Sequence, residues 1–207
     1  MQQTAINWRF KYPRPLAMKE IIELLETFHT MPDALQLLLH RTAERREAPR
    51  KTCLLSPGDT CNYLYYIQKG MLACFDQGPD KEYCSWLMIE KDIATSVNSF
   101  NKQVPSTERI EAVEDSILWT LSKQQLEDIC DRFTEFRIIR QCITDKYHIQ
   151  SRTLDLQRKR PPEYFYDYLA GEYPEMIRRA PNTILASYMG VVESTLYKIK
   201  KERRNYR

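Results

Sequence analysis

The spacing of apolar residues along this chain changes twice, and each change predicts a different kind of element. Between residues 16 and 40, Ile21, Ile22, Leu24, Leu25 and Phe28, then Leu35, Leu37, Leu38 and Leu39, recur at helical offsets, with an interruption near Met31 and Pro32. From Arg41 to about Leu121 the texture becomes short apolar runs separated by turn residues: Lys51 to Leu55, Tyr63 to Gln68, Met71 to Phe75, Tyr83 to Ile89, Arg109 to Val113 and Ile117 to Leu121. Ser56-Pro57-Gly58-Asp59, Lys69-Gly70 and Gln77-Gly78-Pro79-Asp80 punctuate them. Many short strands at this spacing predict a small barrel or jelly roll. After Ser122 the period is helical again, with a short helix from Lys123 to Asp131 and a long one from about Thr134 to Lys159.

Along the long helix, Phe136, Ile139, Ile143, Tyr147, Gln150 and Leu154 follow one another in steps of 3, 4, 4, 3 and 4, which places them on one side. Such a stripe either packs on the barrel or pairs with a copy of itself. We expect the second, a homodimer in which Phe136, Ile139, Ile143 and Tyr147 meet their counterparts. Arg160-Pro161-Pro162 stops the helix, because proline cannot donate to the helical ladder and restricts the residue before it. This divides the chain into residues 1–160, a β-barrel with flanking helices, and residues 161–207, a short all-helical unit. The fold class is therefore α+β: N-terminal helices, an antiparallel jelly roll, a long helix and a C-terminal helical domain.

The last 26 residues carry the most informative pattern. Leu185, Ala186 and Met189 give one helix a buried stripe, and Val191, Leu196 and Ile199 continue it after a break at Gly190. Ala186 is small where two helices would cross, and glycine can take the positive φ that ends a helix and turns the chain. The second helix leaves Glu193, Ser194, Thr195, Tyr197, Lys198 and Lys201 free to face outward, followed by Arg203, Arg204 and Arg207. This is the layout of a helix-turn-helix whose second helix meets base edges and phosphates of double-stranded DNA. The competing reading is an ordinary helical hairpin with a solvated basic face.

Charge distribution adds weight to the DNA reading. The net charge is only +3, but from Pro181 to Arg207 six Lys and Arg residues stand against Glu193 and Glu202. Arg152, Arg158, Lys159 and Arg160 form a second basic cluster. An apolar content of 43% supplies a sizeable core, and 29% charged residues suit a soluble, cytoplasmic protein. No run approaches the ~20 apolar residues of a membrane span, and the N-terminus lacks a signal-peptide layout. The six cysteines show no C-x-x-C pair, so free and mostly buried thiols are expected rather than a metal or cluster site.

Barrel, long helix and helix-turn-helix, in that order, resemble the Crp/Fnr family of bacterial transcription regulators. Ser56-Pro57-Gly58-Asp59 followed by Leu64-Tyr65-Tyr66-Ile67-Gln68-Lys69-Gly70 resembles the family's barrel signature. Glu111-Ala112 through Leu121-Ser122 resembles its closing strands, and Leu185-Ala186-Ser187-Tyr188-Met189-Gly190 its first helix-turn-helix element. The likeness covers roughly residues 40 to 203. It implies a cyclic-nucleotide-binding-like barrel with an effector pocket, a homodimer, an inverted-repeat operator, a small-molecule effector and RNA polymerase as a further partner.

Two departures from the family pattern matter. Nucleotide-sensing members carry a Gly-Glu pair and then an Arg before Ser or Thr, the Glu binding the ribose and the Arg the cyclic phosphate. In the matching stretch, Asp92 to Ala112, this chain has Thr95-Ser96 and Ser106-Thr107 instead. Neutral hydroxyls replace charge-assisted contacts to a phosphate only weakly, so cyclic AMP is not expected to be the effector. Arg109 stands nearby as a substitute anchor, on the face of Thr107 if the strand register is regular. The resemblance thus gives Thr95, Ser96, Ser106, Thr107 and Arg109 as the effector pocket. At the reading head, Val192 stands where the family often has a Ser or Thr cap, and Glu193, Ser194 and Lys198 occupy the reading positions. Lys198 can reach guanine and Glu193 can accept from cytosine.

Two other functions compete. Jelly rolls also host metal-dependent enzymes, but their ligands need histidines inside the barrel, and His29, His40 and His148 all lie outside residues 41–131. No Ser-His or Cys-His nucleophile arrangement is visible, so we expect neither enzymatic activity nor a cofactor. The other reading is a degenerate module whose helical tail binds a protein partner, for which Val192 and the aromatic run Tyr164-Phe165-Tyr166-Asp167-Tyr168 speak.

Overall fold

Helices α1 (Arg14–Glu26) and α2 (Asp33–Thr42) come from the first apolar run and are separated at Met31 and Pro32. Pro32 starts α2 because its carbonyl can accept the N–H groups of Leu35 and Gln36, while its own missing N–H is no loss there. The computed structural model describes residues 14–205; Arg207, expected to extend the basic tail, lies outside them.

Eight strands follow: β1 (Glu44–Ala48), β2 (Cys53–Leu55), β3 (Tyr63–Lys69), β4 (Leu72–Gln77), β5 (Glu82–Met88), β6 (Ile93–Ala94), β7 (Arg109–Ala112) and β8 (Ser116–Ser122). A short helix, α3 (Val97–Lys102), stands between β6 and β7. The strands form two four-stranded antiparallel sheets, ordered β1-β8-β3-β6 and β2-β7-β4-β5. Their facing sides hold Tyr65, Ile67, Leu72, Cys74, Met88, Ile110 and Leu118, all buried. The jelly roll expected from the strand spacing is therefore present, with two additional strands. Strand β1 escapes an apolar reading because it is an edge strand of sequence Glu44-Arg45-Arg46-Glu47-Ala48, held by its ladder to β8. Its one buried residue is Ala48, and its half-buried Arg46 lies over the Tyr63 ring at 4.2 Å.

Helix α4 (Lys123–Arg132) starts with a capping box: Gln125 N–H donates to Ser122 Oγ at 3.1 Å, and Ser122 N–H to Gln125 Oε1 at 2.8 Å. Helix α5 (Thr134–Arg158) then lies along the barrel. Phe136 and Ile139 are buried in the barrel core, with Ile143 packed against it. The Tyr147 hydroxyl accepts the Ile93 N–H at 2.7 Å. Phe136 and Ile139, expected to meet a second copy, are thus buried within one chain, which corrects their assignment to the dimer surface, while Ile143 and Tyr147 are half-buried. The outward side of α5 instead presents Ile138, Ile149 and Leu156, at 40%, 66% and 58% exposure.

Four helices complete the described residues: α6 (Pro162–Glu172), α7 (Pro174–Arg179), α8 (Asn182–Met189) and α9 (Glu193–Asn205). They do not form a core by themselves. Phe165, Leu169, Leu185 and Tyr188 share one buried cluster with Leu154 of α5 and with Met71, Ala73, Cys84, Leu87 and Val113 on the outer face of the β2-β7-β4-β5 sheet. Polar contacts reinforce this seam. Arg179 of α7 donates to Glu90 at 2.8 and 3.0 Å, to the Gly70 carbonyl at 3.1 Å, and to Glu114. Burial alone would raise the Glu90 carboxyl, yet donors from Arg179 and the Gly70 N–H hold it below the usual range. The Cys84 N–H donates to Ser187 Oγ at 2.8 Å, and Arg158 donates to the Ser85 carbonyl at 2.8 Å while lying over the Tyr188 ring. All six cysteines are free; four are buried, Cys53 is exposed and Cys142 is half-buried on α5.

Candidate effector and nucleic-acid sites

The turn between α8 and α9 follows from Gly190, which adopts φ 71° and lets its own N–H return to Ser187 and the Val191 N–H to Ala186. Leu185, Ala186, Leu196 and Ile199 close the inner side of the helix pair. The opposite side of α9 leaves Glu193, Ser194, Tyr197, Lys198, Lys201 and Arg204 exposed. Tyr197 is 66% exposed, far beyond what a core tyrosine shows. Thr195 is half-buried at the edge of this surface.

Two of the basic residues near α9 have partners inside the chain. Arg203 forms a two-pronged pair with Asp167 of α6, with Nε–Oδ1 at 2.7 Å and Nη2–Oδ2 at 2.8 Å. Lys200 donates to Asn182 Oδ1 at 2.7 Å. Arg203, expected among the phosphate contacts, thus ties α9 to α6. Lys198, Lys201 and Arg204 remain as exposed cations on the outward face of α9.

The segment between β6 and β7 holds four of the residues expected in an effector pocket. Ser96 and Ser106 are buried and lie 3.0 Å apart, Oγ to Oγ. Ser106 Oγ accepts the Glu108 N–H at 3.0 Å, and the Ser96 hydroxyl donates to the Glu108 carboxylate. Burial, followed by the charge of Asp76, raises the Glu108 carboxyl, and the Ser96 hydrogen bond offsets part of that. Thr95 reaches the Tyr63 carbonyl at 3.3 Å. Thr107 is exposed. Arg109 is engaged with Glu82 at 2.6 and 2.9 Å and with Glu111, and it lies over the Phe75 ring at 4.1 Å. Strand alternation explains this: Ile110 and Ala112 are buried in the barrel while Arg109 and Glu111 alternate with them on the other face.

A cavity of about 650 Å³ runs beneath α5, lined by α1, both sheets, α3 and α5. Of the five residues expected in an effector pocket, Thr95 lines it; Ser96, Ser106, Thr107 and Arg109 do not. Glu108 does, beside Asp76, Trp86 and Cys74. This carboxylate was missed in the sequence, although the inward register of Ile110 and Ala112 already places position 108 on the inner face. Among the described residues, no group of three or more His, Cys, Asp and Glu side chains could hold a metal ion, and no helix is long and apolar enough to cross a membrane.

Residues 45–133 match the family "Cyclic nucleotide-binding domain". No curated protein sequence matches the chain at a significant level. Among solved structures, FixK2 from Bradyrhizobium japonicum is 12% identical with a TM-score of 0.67, over 80% of this chain and 86% of that one. A transcriptional regulator of the crp/fnr family from Eubacterium rectale is 12% identical with a TM-score of 0.64, covering 85% of both chains. The Thermus thermophilus catabolite activator protein is 18% identical with a TM-score of 0.52, over 88% of this chain and 87% of that one. The barrel, the long helix that follows it and this likeness together show a cyclic nucleotide-binding domain set in a chain with the fold of Crp/Fnr-type transcription regulators.

Proposed function

We propose that this protein is a dimeric DNA-binding transcription regulator that reads an inverted-repeat operator through α9. The observation that carries this reading is the exposed face of α9, where Glu193, Ser194, Tyr197, Lys198, Lys201 and Arg204 stand together on a helix positioned by the Gly190 turn. A solvated helix has no need of a 66% exposed tyrosine among cations, whereas a groove-facing helix uses both. Fluorescence anisotropy against duplexes selected from random sequence tests it. The expected result is selection of an inverted repeat with half-sites about one helical turn apart and affinity that falls steeply with salt. Binding insensitive to salt, or no selected sequence at all, overturns it.

The dimer runs along α5, but through its outward face. Ile138, Cys142, Asp145, Ile149, Arg152 and Leu156 follow one another in steps of 4, 3, 4, 3 and 4, the seam of a two-stranded coiled coil. In a parallel pair each seam position meets its own copy, so Cys142 lies opposite Cys142. In a Cys53→Ser background, which removes the exposed thiol, a short bis-maleimide is expected to join two chains covalently, and Cys142→Ser is expected to abolish the product. A monomer by light scattering together with no crosslink counts against the dimer.

The effector site does not accept cyclic nucleotides. The positions that would hold the ribose and the phosphate are filled by two serines bonded to each other and to Glu108, a carboxylate that repels a phosphate. Losing a charge-assisted contact costs about 1.5–3 kcal/mol, tenfold or more in affinity. Titration calorimetry with cyclic AMP is expected to show no saturable heat at micromolar concentrations. A micromolar dissociation constant with one site per chain contradicts the claim.

A further inference from the structure

The α1 side of the cavity carries a feature that neither the barrel nor DNA recognition accounts for. Tyr65 and Tyr66 are consecutive on β3, and the Tyr65 hydroxyl crosses to the Leu54 carbonyl of the opposite sheet. Tyr66 therefore points to the other side, under α1 and α5. In the ladders its lateral neighbours are Ile93 and Trp119, and all three line the cavity together with Met18 and Ile21 of α1 and Phe136 and Ile143 of α5. Tyr66 is only 7% exposed, and its hydroxyl oxygen is buried without a hydrogen-bond partner. Buried hydroxyls are nearly always satisfied, because one left unpaired costs about 1–3 kcal/mol. Here the unpaired hydroxyl opens onto one part of the cavity of about 650 Å³, whose remainder takes in the barrel-side residues Cys74, Asp76, Trp86 and Glu108.

We infer that this part of the cavity binds a small, uncharged, mainly apolar molecule that presents a hydrogen-bond acceptor to the Tyr66 hydroxyl. The apolar body follows from the walls: Met18, Ile21, Trp119, Phe136 and Ile143 offer dispersion contacts, and Arg140, which also lines the cavity, is not among the charges that act on the Tyr66 hydroxyl. The acceptor follows from the donor that lacks one. Burial, and then the negative charges of Glu20 and Asp92, push the Tyr66 hydroxyl up to about 12, so it remains a donor at neutral pH. The same two carboxylates disfavour an anion, which makes a carbonyl, ether or hydroxyl oxygen the matching group rather than a carboxylate or phosphate. This site lies on the opposite face of β3 from Tyr65 and the barrel interior. It goes beyond DNA recognition, and its test contains no DNA, so either reading can fail without the other.

The test is a titration of the whole chain with a neutral naphthyl ketone dye whose emission shifts to the blue in apolar surroundings, and with an anionic naphthalene sulfonate of similar size. The ketone is expected to bind saturably at one site per chain, and the sulfonate at least about tenfold more weakly. Tyr66→Phe keeps the shape and removes the donor. It is expected to weaken the ketone about tenfold while leaving the thermal midpoint of the free protein unchanged or raised, since no bond is lost on folding. Ile143→Trp fills the cavity and is expected to abolish binding. Equal affinity of Tyr66→Phe for the ketone, equal binding of ketone and sulfonate, or a lowered midpoint of free Tyr66→Phe would each overturn the inference; the last shows that the hydroxyl is already satisfied.

Discussion

Gly70→Ala is expected to destabilise the protein by about 2–6 kcal/mol, the sum of a backbone strain of about 1–3 kcal/mol and an overpacking cost of similar size. Gly70 connects β3 to β4 at φ 109°, a conformation that side chains rarely adopt. An added Cβ would stand 2.2 Å from Ser116 Oγ and 2.7 Å from the Ser116 Cα, so backbone as well as side chain must move. The same residue is a node of the seam between the barrel and the C-terminal helices. Its N–H donates to Glu90 at 2.8 Å, and its carbonyl accepts from Arg179 at 3.1 Å. Any shift at Gly70 therefore also loosens the Arg179 cluster. Gly58→Ala is the control: φ is positive there too, at 89°, but nothing lies within 4 Å of the added carbon, so only the strain of about 1–3 kcal/mol applies. Urea unfolding of both variants decides the matter, and equal losses would show that crowding against Ser116 contributes nothing.

Replacing Lys198, Lys201 and Arg204 together by alanine is expected to reduce affinity for the selected operator at least about a hundredfold. A base contact contributes about 1–3 kcal/mol and each phosphate contact adds its share of counterion release, with every 1.4 kcal/mol worth about tenfold. The three have different jobs, and single variants separate them. Lys198→Ala is expected to relax preference at one base pair of each half-site, whereas Lys201→Ala and Arg204→Ala weaken all sequences alike and each lower the salt slope by about one. Arg203→Ala is expected to act otherwise, because its guanidinium already grips Asp167. Its effect belongs to the anchoring of α9 on α6, and the salt slope should stay where it was. Anisotropy titrations across a salt series measure all four; a triple variant that binds as the parent does removes α9 as the reading helix.

The order of elements was legible in the sequence because periodicity is a local property. Apolar steps of three and four announced α4 and α5 to within about two residues and the helical stretch that holds α1 and α2, and alternation between turn residues announced six of the eight strands among the described residues. The remaining two strands were hidden for physical reasons. Edge strand β1 carries charges where an interior strand carries valines, and β6 is two residues long, too short for any alternation to register. The turn at Gly190 was readable because one residue type suits a positive φ.

Site chemistry was readable as residue types and not as neighbours. That serines stand where the resembled family places a ribose-binding Glu and a phosphate-binding Arg is a statement about sequence; the structure adds that the two hydroxyls lie 3.0 Å apart. Which way Arg109 points depended on the register of β7, and its engagement by Glu82 depended on β5 lying two strands across the same sheet. Glu108 entered the cavity by the same alternation that took Arg109 out of it.

By itself, the sequence determined the class of the longer elements, the break at Gly190, the basic residues of α9 and the hydroxyl residues Thr95, Ser96, Ser106 and Thr107 in the segment before β7, since all of these rest on residues near one another in the chain. The tertiary structure alone decided three things. It gave the Phe136, Ile139 and Ile143 stripe of α5 to its own barrel, because an apolar face is covered by whatever apolar surface the chain brings to it first. It drew Arg203 to Asp167 and Arg179 to Glu90 and Glu114, pairings across 36, 89 and 65 residues that no local pattern can encode. And it left the Tyr66 hydroxyl without a partner over a cavity, because whether a buried donor is satisfied depends on every element that packs around it.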